Sequence, residues 1–213
     1  TNYGACLKSW KIKQKDNSLI DVVLGYNNIE HYKKNPLYLG STVGRFANRI
    51  NKGIFTLNGQ KVELHQNDMP NHLHGGFKGF SAKIWEVMEY CSNKVVFSLS
   101  SADLDENYPG SLKTIVTYKI NDENQLNINF HTKPDEDTIL NLTHHSYFNL
   151  NGNTAGNILD HELKINADNI TEINSELVPT GEFLKVSDTP LDFKKSIKIG
   201  NRINSDFYQI RYA

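Results

Sequence analysis

Two adjacent histidines and a tyrosine lie within one short polar run, Thr143-His-His-Ser-Tyr-Phe-Asn-Leu150. An imidazole exchanges a proton near neutral pH, so histidine is the usual side chain for proton transfer in enzymes. The run is otherwise composed like a strand, and adjacent strand residues point to opposite faces of a sheet. We therefore expect only one of His144 and His145 to serve a given pocket. The alternative is that both are surface or hydrogen-bonded core residues, the commoner setting for histidine.

Two further polar segments, residues 44–49 and 70–76, interrupt the strand pattern of the chain. In the second segment, His72 and His74 would share one face if the backbone were extended, and some β-barrel proteins present metal ligands in this way. The pair Gly75-Gly76 favours another arrangement, in which the backbone bends sharply and lets a ligand approach it. His74 would then lie at the strand end and His72 would point elsewhere. Spacing alone leaves both arrangements open.

The composition is that of a globular protein without a strong charge. The chain has 213 residues, of which 38% are hydrophobic, with a net charge of −1 and a pI near 6.7. This balance gives no broad basic surface for nucleic acid or an anionic membrane, and it suits a small neutral ligand. No apolar stretch approaches the roughly 20 residues that span a bilayer, and the N-terminus lacks a signal-peptide pattern. We expect a cytoplasmic protein in which Cys6 and Cys91 are free thiols.

Alternation of apolar and polar residues, the signature of half-buried strands, dominates the chain. Residues 111–132 read as a hairpin with a polar turn at residues 121–124. The dipeptide Asn58-Gly59 tolerates the positive φ angles of a tight turn, and it separates two short strand-like segments, residues 54–57 and 61–64. Both segments therefore predict antiparallel hairpins.

The remainder of the chain adds strands and almost no helix. We expect strands at residues 95–100 and 163–167, whereas only residues 28–34 suggest a turn of helix. Short strands joined by turns, without a low-complexity linker, are typical of one sandwich domain. The pattern predicts an all-β chain that forms a single domain over residues 1–213.

Several motifs occur in the order typical of one enzyme family. They are Gly44-Arg-Phe-Ala-Asn-Arg-Ile50, Gly53-Ile-Phe55, Leu57-Asn-Gly59, Asn71-His-Leu-His-Gly-Gly76, Tyr108-Pro-Gly110, Asn141-Leu-Thr-His-His-Ser-Tyr-Phe-Asn-Leu150 and Leu177-Val-Pro-Thr-Gly-Glu182. With these motifs the chain resembles the aldose 1-epimerases, also called galactose mutarotases. The resemblance runs from about Tyr3 to the last residues.

The resemblance implies a large antiparallel β-sandwich of the galactose mutarotase type, with a sugar cleft on one face. The implied reaction interconverts the α and β anomers of a hexose such as galactose or glucose, without a cofactor. A glutamate takes the proton of the anomeric hydroxyl while a histidine protonates the ring oxygen, and the ring opens and recloses. The implied partner is a small hexose, and we expect a monomer or homodimer.

The resemblance also implies that the chain is incomplete at both ends. Relatives have strands before the position of Thr1, and their catalytic glutamate and a substrate-binding aspartate would follow Ala213. We expect residues 1–213 alone to be inactive, because an acid without its base cannot open the ring.

Matching the motifs residue by residue assigns the histidines of the implied site. His145 matches the general acid that protonates the ring oxygen. His74 matches a second cleft histidine that bonds the ring oxygen or a neighbouring hydroxyl. His144 occupies a position that is often asparagine, and we expect it to be a supporting neighbour.

The same matching assigns the residues that would bind the sugar. Asn48 and Arg49 match a pair that binds hydroxyls, and Ser146 and Tyr147 are expected to line the cleft. A neutral sugar offers donors and acceptors together, so such a site needs mixed polar groups on rigid strands. Arg45 is expected to be a structural ion-pair partner. Three further residues are expected to be structural: His72, Asp105 and Glu182.

Three other functions are compatible with the residues. A non-catalytic carbohydrate-binding module would use the same fold without the chemistry. A metal-binding β-barrel protein would use His72, His74 and one of His144 and His145 as ligands. A phosphosugar epimerase would need a basic phosphate site, which the arginines do not identify.

Overall fold

A computed structural model describes residues 1–211, which divide into two compact units. The first unit comprises residues 1–148, and the second begins at Asn149. Within residues 1–211, no helix has both the length and the apolar character needed to cross a membrane. The single domain over residues 1–213 stays a prediction.

The first unit consists of short strands and one short helix. Single turns of 3₁₀ helix lie at Asn51–Gly53, Phe80–Ala82 and Asp105–Asn107. The other elements are β1 (Lys11–Lys13), β2 (Leu19–Asp21), α1 (Ile29–Lys34), β3 (Thr42–Val43), β4 (Arg49–Ile50), β5 (Ile54–Leu57), β6 (Gln60–Glu63), β7 (His72–Leu73), β8 (Glu86–Cys91), β9 (Lys94–Ser101), β10 (Leu112–Ile120), β11 (Leu126–Pro134) and β12 (Thr143–His144).

The largest sheet of this unit has the strand order β11-β10-β9-β8, with all pairs antiparallel. The predicted hairpin is confirmed, since Ile120 pairs with Leu126 across the polar turn. The alternation in β10 buries one face of the sheet, because side chains on a strand point alternately to its two faces. The main core packs on that face, and its buried members are Ala5, Phe80, Trp85, Phe97, Leu99, Leu112, Val116 and Tyr118.

The second predicted hairpin is also confirmed. Leu57 pairs with Gln60, and the turn residues Asn58 and Gly59 have φ angles of 50° and 77°. Glycine carries no Cβ, so the left-handed conformation costs it little. The hairpin packs against a smaller cluster of buried residues formed by Ile50, Leu64 and Tyr108.

The predicted turn of helix is confirmed as α1. The helix begins after Asn28, whose side-chain oxygen accepts a hydrogen bond from the N–H of Glu30 at 3.0 Å. This is the usual role of asparagine at a helix N-cap. Tyr32 is the buried residue of the helix, so the other side chains face outward.

Two small antiparallel pairs carry the polar motifs. β12 pairs with β3 through Thr143 and Val43, and β4 pairs with β7 through Arg49 and Leu73. Tyr118 anchors β3 to the core, because its hydroxyl donates to the carbonyl of Ala5 at 2.5 Å and lies 3.2 Å from the hydroxyl of Thr42. The pair formed by β3 and β12 is thus fixed to the buried face of the main sheet.

The second unit contains β13 (Glu162–Leu163), β14 (Asn169–Ile173), β15 (Pro179–Lys185), β16 (Ile197–Lys198) and α2 (Tyr208–Arg211). β14 pairs with β15, and β13 pairs with β16. The strand predicted at residues 163–167 is wrong in its extent, because β13 has only two residues. Beyond it, the N–H of Ile165 donates at 2.7 Å to the carbonyl of Phe193, which lies outside any strand.

Candidate active site

A cleft of about 530 Å³ in the first unit collects most of the residues that the motifs predict. It lies between the segment that contains β12, the loop before β4 and the end of β7. The loop before β4 is joined to residue 141 by a backbone hydrogen bond from Ala47 to the carbonyl of Asn141, at 2.7 Å. The lining residues are Ala47, Asn48, His74, Asn141, Leu142, Thr143, His144, His145, Ser146 and Tyr147.

His74 is held in one orientation directly after β7. Its ring Nδ1 accepts a hydrogen bond from the backbone N–H of Asn48 at 2.9 Å. The backbone N–H of His74 donates in turn to the carbonyl of Asn48 at 3.2 Å. Because Nδ1 is an acceptor, the proton of the neutral ring lies on Nε2. Burial, with the nearby charges of His145 and Arg49, lowers the pKa of His74 to about 4. His74 is therefore neutral near pH 7 and can donate from Nε2.

His145 lies beside His74 at the centre of the cleft. The two ring centroids are 5.5 Å apart with an edge-to-face geometry, and the centroid of Tyr147 lies 5.1 Å from that of His145. The backbone of His145 is fixed on both sides, since its N–H donates to Ser41 at 2.9 Å and its carbonyl accepts from Gly40 at 3.0 Å. The two predicted catalytic histidines thus share one site.

His144 makes different contacts from its neighbour. Its ring lies edge-to-face with the core residue Tyr118 at 5.4 Å, and burial lowers the pKa of His144 to about 4. The Nε2 atom is buried and has no hydrogen-bond partner among the described residues. Both residues line the cleft, but their rings have different neighbours: His74 and Tyr147 for His145, and the core residue Tyr118 for His144.

Asn48 and Arg49 have different surroundings although they are adjacent. Asn48 lines the cleft, has a φ of 67° and an exposed side chain, and its backbone fixes His74. Arg49 is not among the lining residues, and its Nε donates to Asp68 at 2.7 Å with only 18% of the side chain exposed. The ion pair orients the guanidinium and occupies one of its five donors.

Ser146 and Tyr147 line the cleft as the motif implies. The hydroxyl of Ser146 is buried and has no hydrogen-bond partner among the described residues. Tyr147 is 38% exposed, and its carbonyl accepts a hydrogen bond from Leu24 at 2.9 Å. Both residues therefore belong to the cleft wall, with the phenol of Tyr147 more exposed than the hydroxyl of Ser146.

His72 is a buried structural residue. Its Nδ1 donates to the carbonyl of His65 at 2.6 Å, and its Nε2 accepts from the hydroxyl of Tyr108 at 2.6 Å. Both ring nitrogens are thus occupied within the protein, so the three-histidine arrangement considered from spacing does not form. Among residues 1–211, no group of three histidine, cysteine, aspartate or glutamate side chains is arranged as metal ligands.

The glycine pair after His74 bends the backbone as predicted. Gly75 and Gly76 have φ angles of 88° and 100°. The close approach at this bend is made by the protein itself, because a Cβ on Gly75 would collide with the carbonyl oxygen of Gly44, and one on Gly76 with the carboxylate of Glu106. Gly75 therefore lets the backbone after His74 pack against the backbone of Gly44, and Gly76 makes room for the carboxylate of Glu106.

We expect Gly75→Ala to lower the free energy of unfolding by about 3 kcal/mol or more, because the methyl group adds a backbone clash to the cost of a positive φ. Urea unfolding followed by circular dichroism measures the change. Gly59→Ala is the matched control: its φ is also positive, at 77°, but a Cβ there would meet open space. It should cost only about 1–2 kcal/mol. Equal losses in the two variants would contradict the packing argument.

Arg45 is buried, at 2% exposed, and the prediction that it forms an ion pair is wrong. Its guanidinium makes six hydrogen bonds of 2.6–3.2 Å to Ser101, Ala102, Pro109 and Gly110, and all the acceptors are backbone carbonyls except the hydroxyl of Ser101. Planar donors suit such converging oxygens. Arg45 thus joins the loop before β4 to both ends of the loop between β9 and β10.

The other two residues expected to be structural lie outside the cleft lining. Asp105 accepts two hydrogen bonds from Lys83, at 2.8 and 2.7 Å. Glu182 lies exposed in β15 of the second unit.

Three residues of the site escaped the sequence analysis. Asp68 pairs with Arg49, and Glu106 accepts hydrogen bonds from the N–H groups of Phe77 and Lys78 in the loop after His74, at 3.1 and 2.8 Å. Tyr38 packs on the cleft histidines. None belongs to a local pattern with its partner, so only the fold reveals these contacts.

The neutral state of His74 has a consequence for stability. The ordinary pKa of 6.5 describes the unfolded chain, whereas the folded value is about 4. Between these values the unfolded chain binds a proton that the folded protein does not, so the free energy of unfolding should fall as pH is lowered from about 7 to about 5. Urea unfolding at several pH values measures this.

His74→Asn is the informative variant for this pH dependence, because its amide oxygen can replace Nδ1 as the acceptor for Asn48 but does not titrate. The variant should lose less stability than the unaltered protein on acidification. A residual dependence is expected from His144, whose pKa is also lowered. An unchanged pH dependence in His74→Asn would contradict the neutral state assigned to His74.

Comparison with known sequences places the chain among sugar epimerases. The aldose 1-epimerase family profile matches residues 1–212. The galactose mutarotase of Bos taurus is 41% identical over 202 residues, which are 95% of this chain and 58% of that protein. The aldose 1-epimerase of Haemophilus influenzae is 37% identical over 209 residues, which are 98% of this chain and 59% of that protein.

Solved structures show the same fold. An aldose epimerase homologue from C. elegans superposes with a TM-score of 0.88 at 35% identity, covering 93% of this chain and 60% of that one. Galactose 1-epimerase from Lactobacillus acidophilus superposes with a TM-score of 0.87 at 33% identity, covering 99% of this chain and 61% of that one. The chain thus spans roughly 60% of the relatives' length, and the all-β fold of the galactose mutarotase type is confirmed. The chain belongs to the aldose 1-epimerase family.

Proposed function

We propose that the protein is an aldose 1-epimerase that interconverts the α and β anomers of a hexose such as galactose or glucose. The observation that carries the proposal is the pair of histidines in one cleft, with His74 locked as a neutral donor and His145 beside it. The names of the relatives support the substrate class.

The two histidines have different roles in the proposed reaction. His74 cannot act as a cationic acid near pH 7, because its pKa is about 4. It donates from Nε2 to the ring oxygen or a neighbouring hydroxyl and orients the sugar. His145 is the general acid: it gives its proton to the ring oxygen as the bond between that oxygen and C1 breaks.

The second proton transfer needs a base. As the ring opens, the base removes the proton of the anomeric hydroxyl, and the C1–O1 bond becomes the carbonyl of the open-chain aldehyde. Rotation about C1–C2 and the reverse transfers give the other anomer. The cleft lining within the described residues contains no carboxylate. We assign the base to a glutamate outside residues 1–213 in the full-length protein.

Polarimetry tests the proposal directly. The full-length protein, added to freshly dissolved α-galactose or α-glucose, should accelerate the approach to the equilibrium rotation above the spontaneous rate. Both sugars are compared to define the preferred hexose. No acceleration with either hexose would overturn the proposed activity.

A non-catalytic sugar-binding module is the second candidate, and it is favoured by the cleft lining, which holds no carboxylate among residues 1–211. Calorimetry and polarimetry on the full-length protein separate the two functions. Hexose binding without any acceleration of mutarotation would favour the binding module, whereas acceleration would exclude a purely non-catalytic role.

A further inference from the structure

Tyr38 forms a cluster of three rings with the cleft histidines. Its ring centroid lies 4.7 Å from that of His74, edge-to-face at 79°, and 5.8 Å from that of His145, nearly parallel at 29°. The His74 and His145 rings also contact each other edge-to-face. Each histidine therefore has one side of its ring packed against the same phenol.

The backbone around Tyr38 is fixed in place. Tyr38 has a φ of 55°, its N–H donates to Asn35 at 3.1 Å, and its carbonyl accepts from Ser41 at 3.0 Å. The side-chain oxygen of Asn35 accepts from the N–H of Leu39 at 2.8 Å, which closes the turn. Backbone hydrogen bonds join Gly40 and Ser41 of this turn to His145, the residue directly after β12. The turn that carries the phenol is thus hydrogen-bonded to the backbone of His145.

We propose that Tyr38 is a positioning residue that holds the rings of His74 and His145 in their mutual orientation and keeps water from the sides of the rings that face it. This role rests on the function proposed above. Ring pairs in edge-to-face or offset-stacked geometry attract each other beyond simple burial, which favours the observed orientation of both imidazoles. Burial raises the pKa of Tyr38, so its hydroxyl stays protonated near neutral pH.

The surroundings of His74 explain why a phenol is needed there. His145, Arg49 and His72 all disfavour a proton on His74, and Asp68 favours one, but burial has the largest effect on its pKa. Tyr38 supplies part of that burial. Loss of its ring would admit water to His74, and the pKa of His74 would rise toward its ordinary value of 6.5.

Tyr38→Leu and Tyr38→Phe in the full-length protein test the proposal. Proton NMR of the histidine rings follows each pKa, and polarimetry gives kcat and KM. With Leu, the pKa of His74 should rise from about 4 toward its ordinary 6.5, and kcat should fall by about tenfold or more with a smaller change in KM. With Phe, which keeps the ring, the pKa of His74 and kcat should both stay near the values of the unaltered protein. Tyr90→Leu, at an 82% exposed position, is the control.

Each result decides the role of Tyr38. An unchanged His74 titration in folded Tyr38→Leu overturns the proposal, as does a Tyr38→Phe protein that loses kcat or shifts His74, because the hydroxyl would then be the acting group. The Phe variant keeps the test decisive if the Leu variant does not fold. If the unaltered protein shows no mutarotation, the proposed function fails, while the His74 titration still decides whether Tyr38 shields that ring.

Discussion

Replacing His145 by alanine in the full-length protein should lower the rate of mutarotation by about a hundredfold or more, the scale of a lost general acid. The ring oxygen would have to take its proton from water, because His74 is neutral near pH 7 and is not an effective acid. Polarimetry with freshly dissolved α-galactose measures the rate.

His131→Ala is the matched control, since His131 is an exposed histidine on β11. This variant should keep the rate of the unaltered protein. A His145→Ala protein that is folded and equally fast would remove His145 from its role as the acid. His74→Asn should also slow the reaction, with a different signature: a weaker donor raises KM as well as lowering kcat.

Replacing Arg45 by methionine should lower the free energy of unfolding by about 3 kcal/mol or more, because each buried carbonyl that loses its donor costs roughly 1–3 kcal/mol. Methionine has a similar volume and no donors, so the carbonyls that converge on the guanidinium would be buried without partners. Those carbonyls belong to Ser101, Ala102, Pro109 and Gly110. Urea unfolding followed by fluorescence and circular dichroism measures the loss.

Two further variants define what the guanidinium does. Arg202→Met removes an arginine for which one hydrogen bond is seen, to the carbonyl of Thr189 at 3.2 Å, and should cost about 1 kcal/mol. Arg45→Lys keeps the charge but has three donors in place of five, so it should recover only part of the stability. A loss in Arg45→Met no greater than that in Arg202→Met would contradict the role of Arg45.

Short-range patterns determined much of the secondary structure. The alternation in residues 111–132 and the Asn58-Gly59 turn predicted two hairpins that are confirmed, because strand period and turn residues act over a few neighbours. The strand predicted at residues 163–167 is wrong in its length, because the observed β13 has only two residues. Beyond β13 the backbone N–H of Ile165 donates to the carbonyl of Phe193, a partner that no local pattern indicates.

Motif order determined the family, and alternation predicted different surroundings for the rings of His144 and His145. The roles of individual residues needed the fold. Arg45 was expected in an ion pair, yet its partners are carbonyl oxygens, which every residue carries and no sequence pattern marks. Asp68, likewise, becomes significant only because it meets Arg49 across a loop.

The sequence by itself thus determined the all-β class, the hairpins and the family, and it singled out His74 and His145, which meet in one cleft. Only the tertiary structure decided that His74 is neutral with its proton on Nε2, and that Tyr38 packs on both cleft histidines. The physical reason is the range of the interactions. Strand period and turn chemistry act between near neighbours, whereas burial, tautomer choice and ring packing depend on groups that folding brings together from distant parts of the chain.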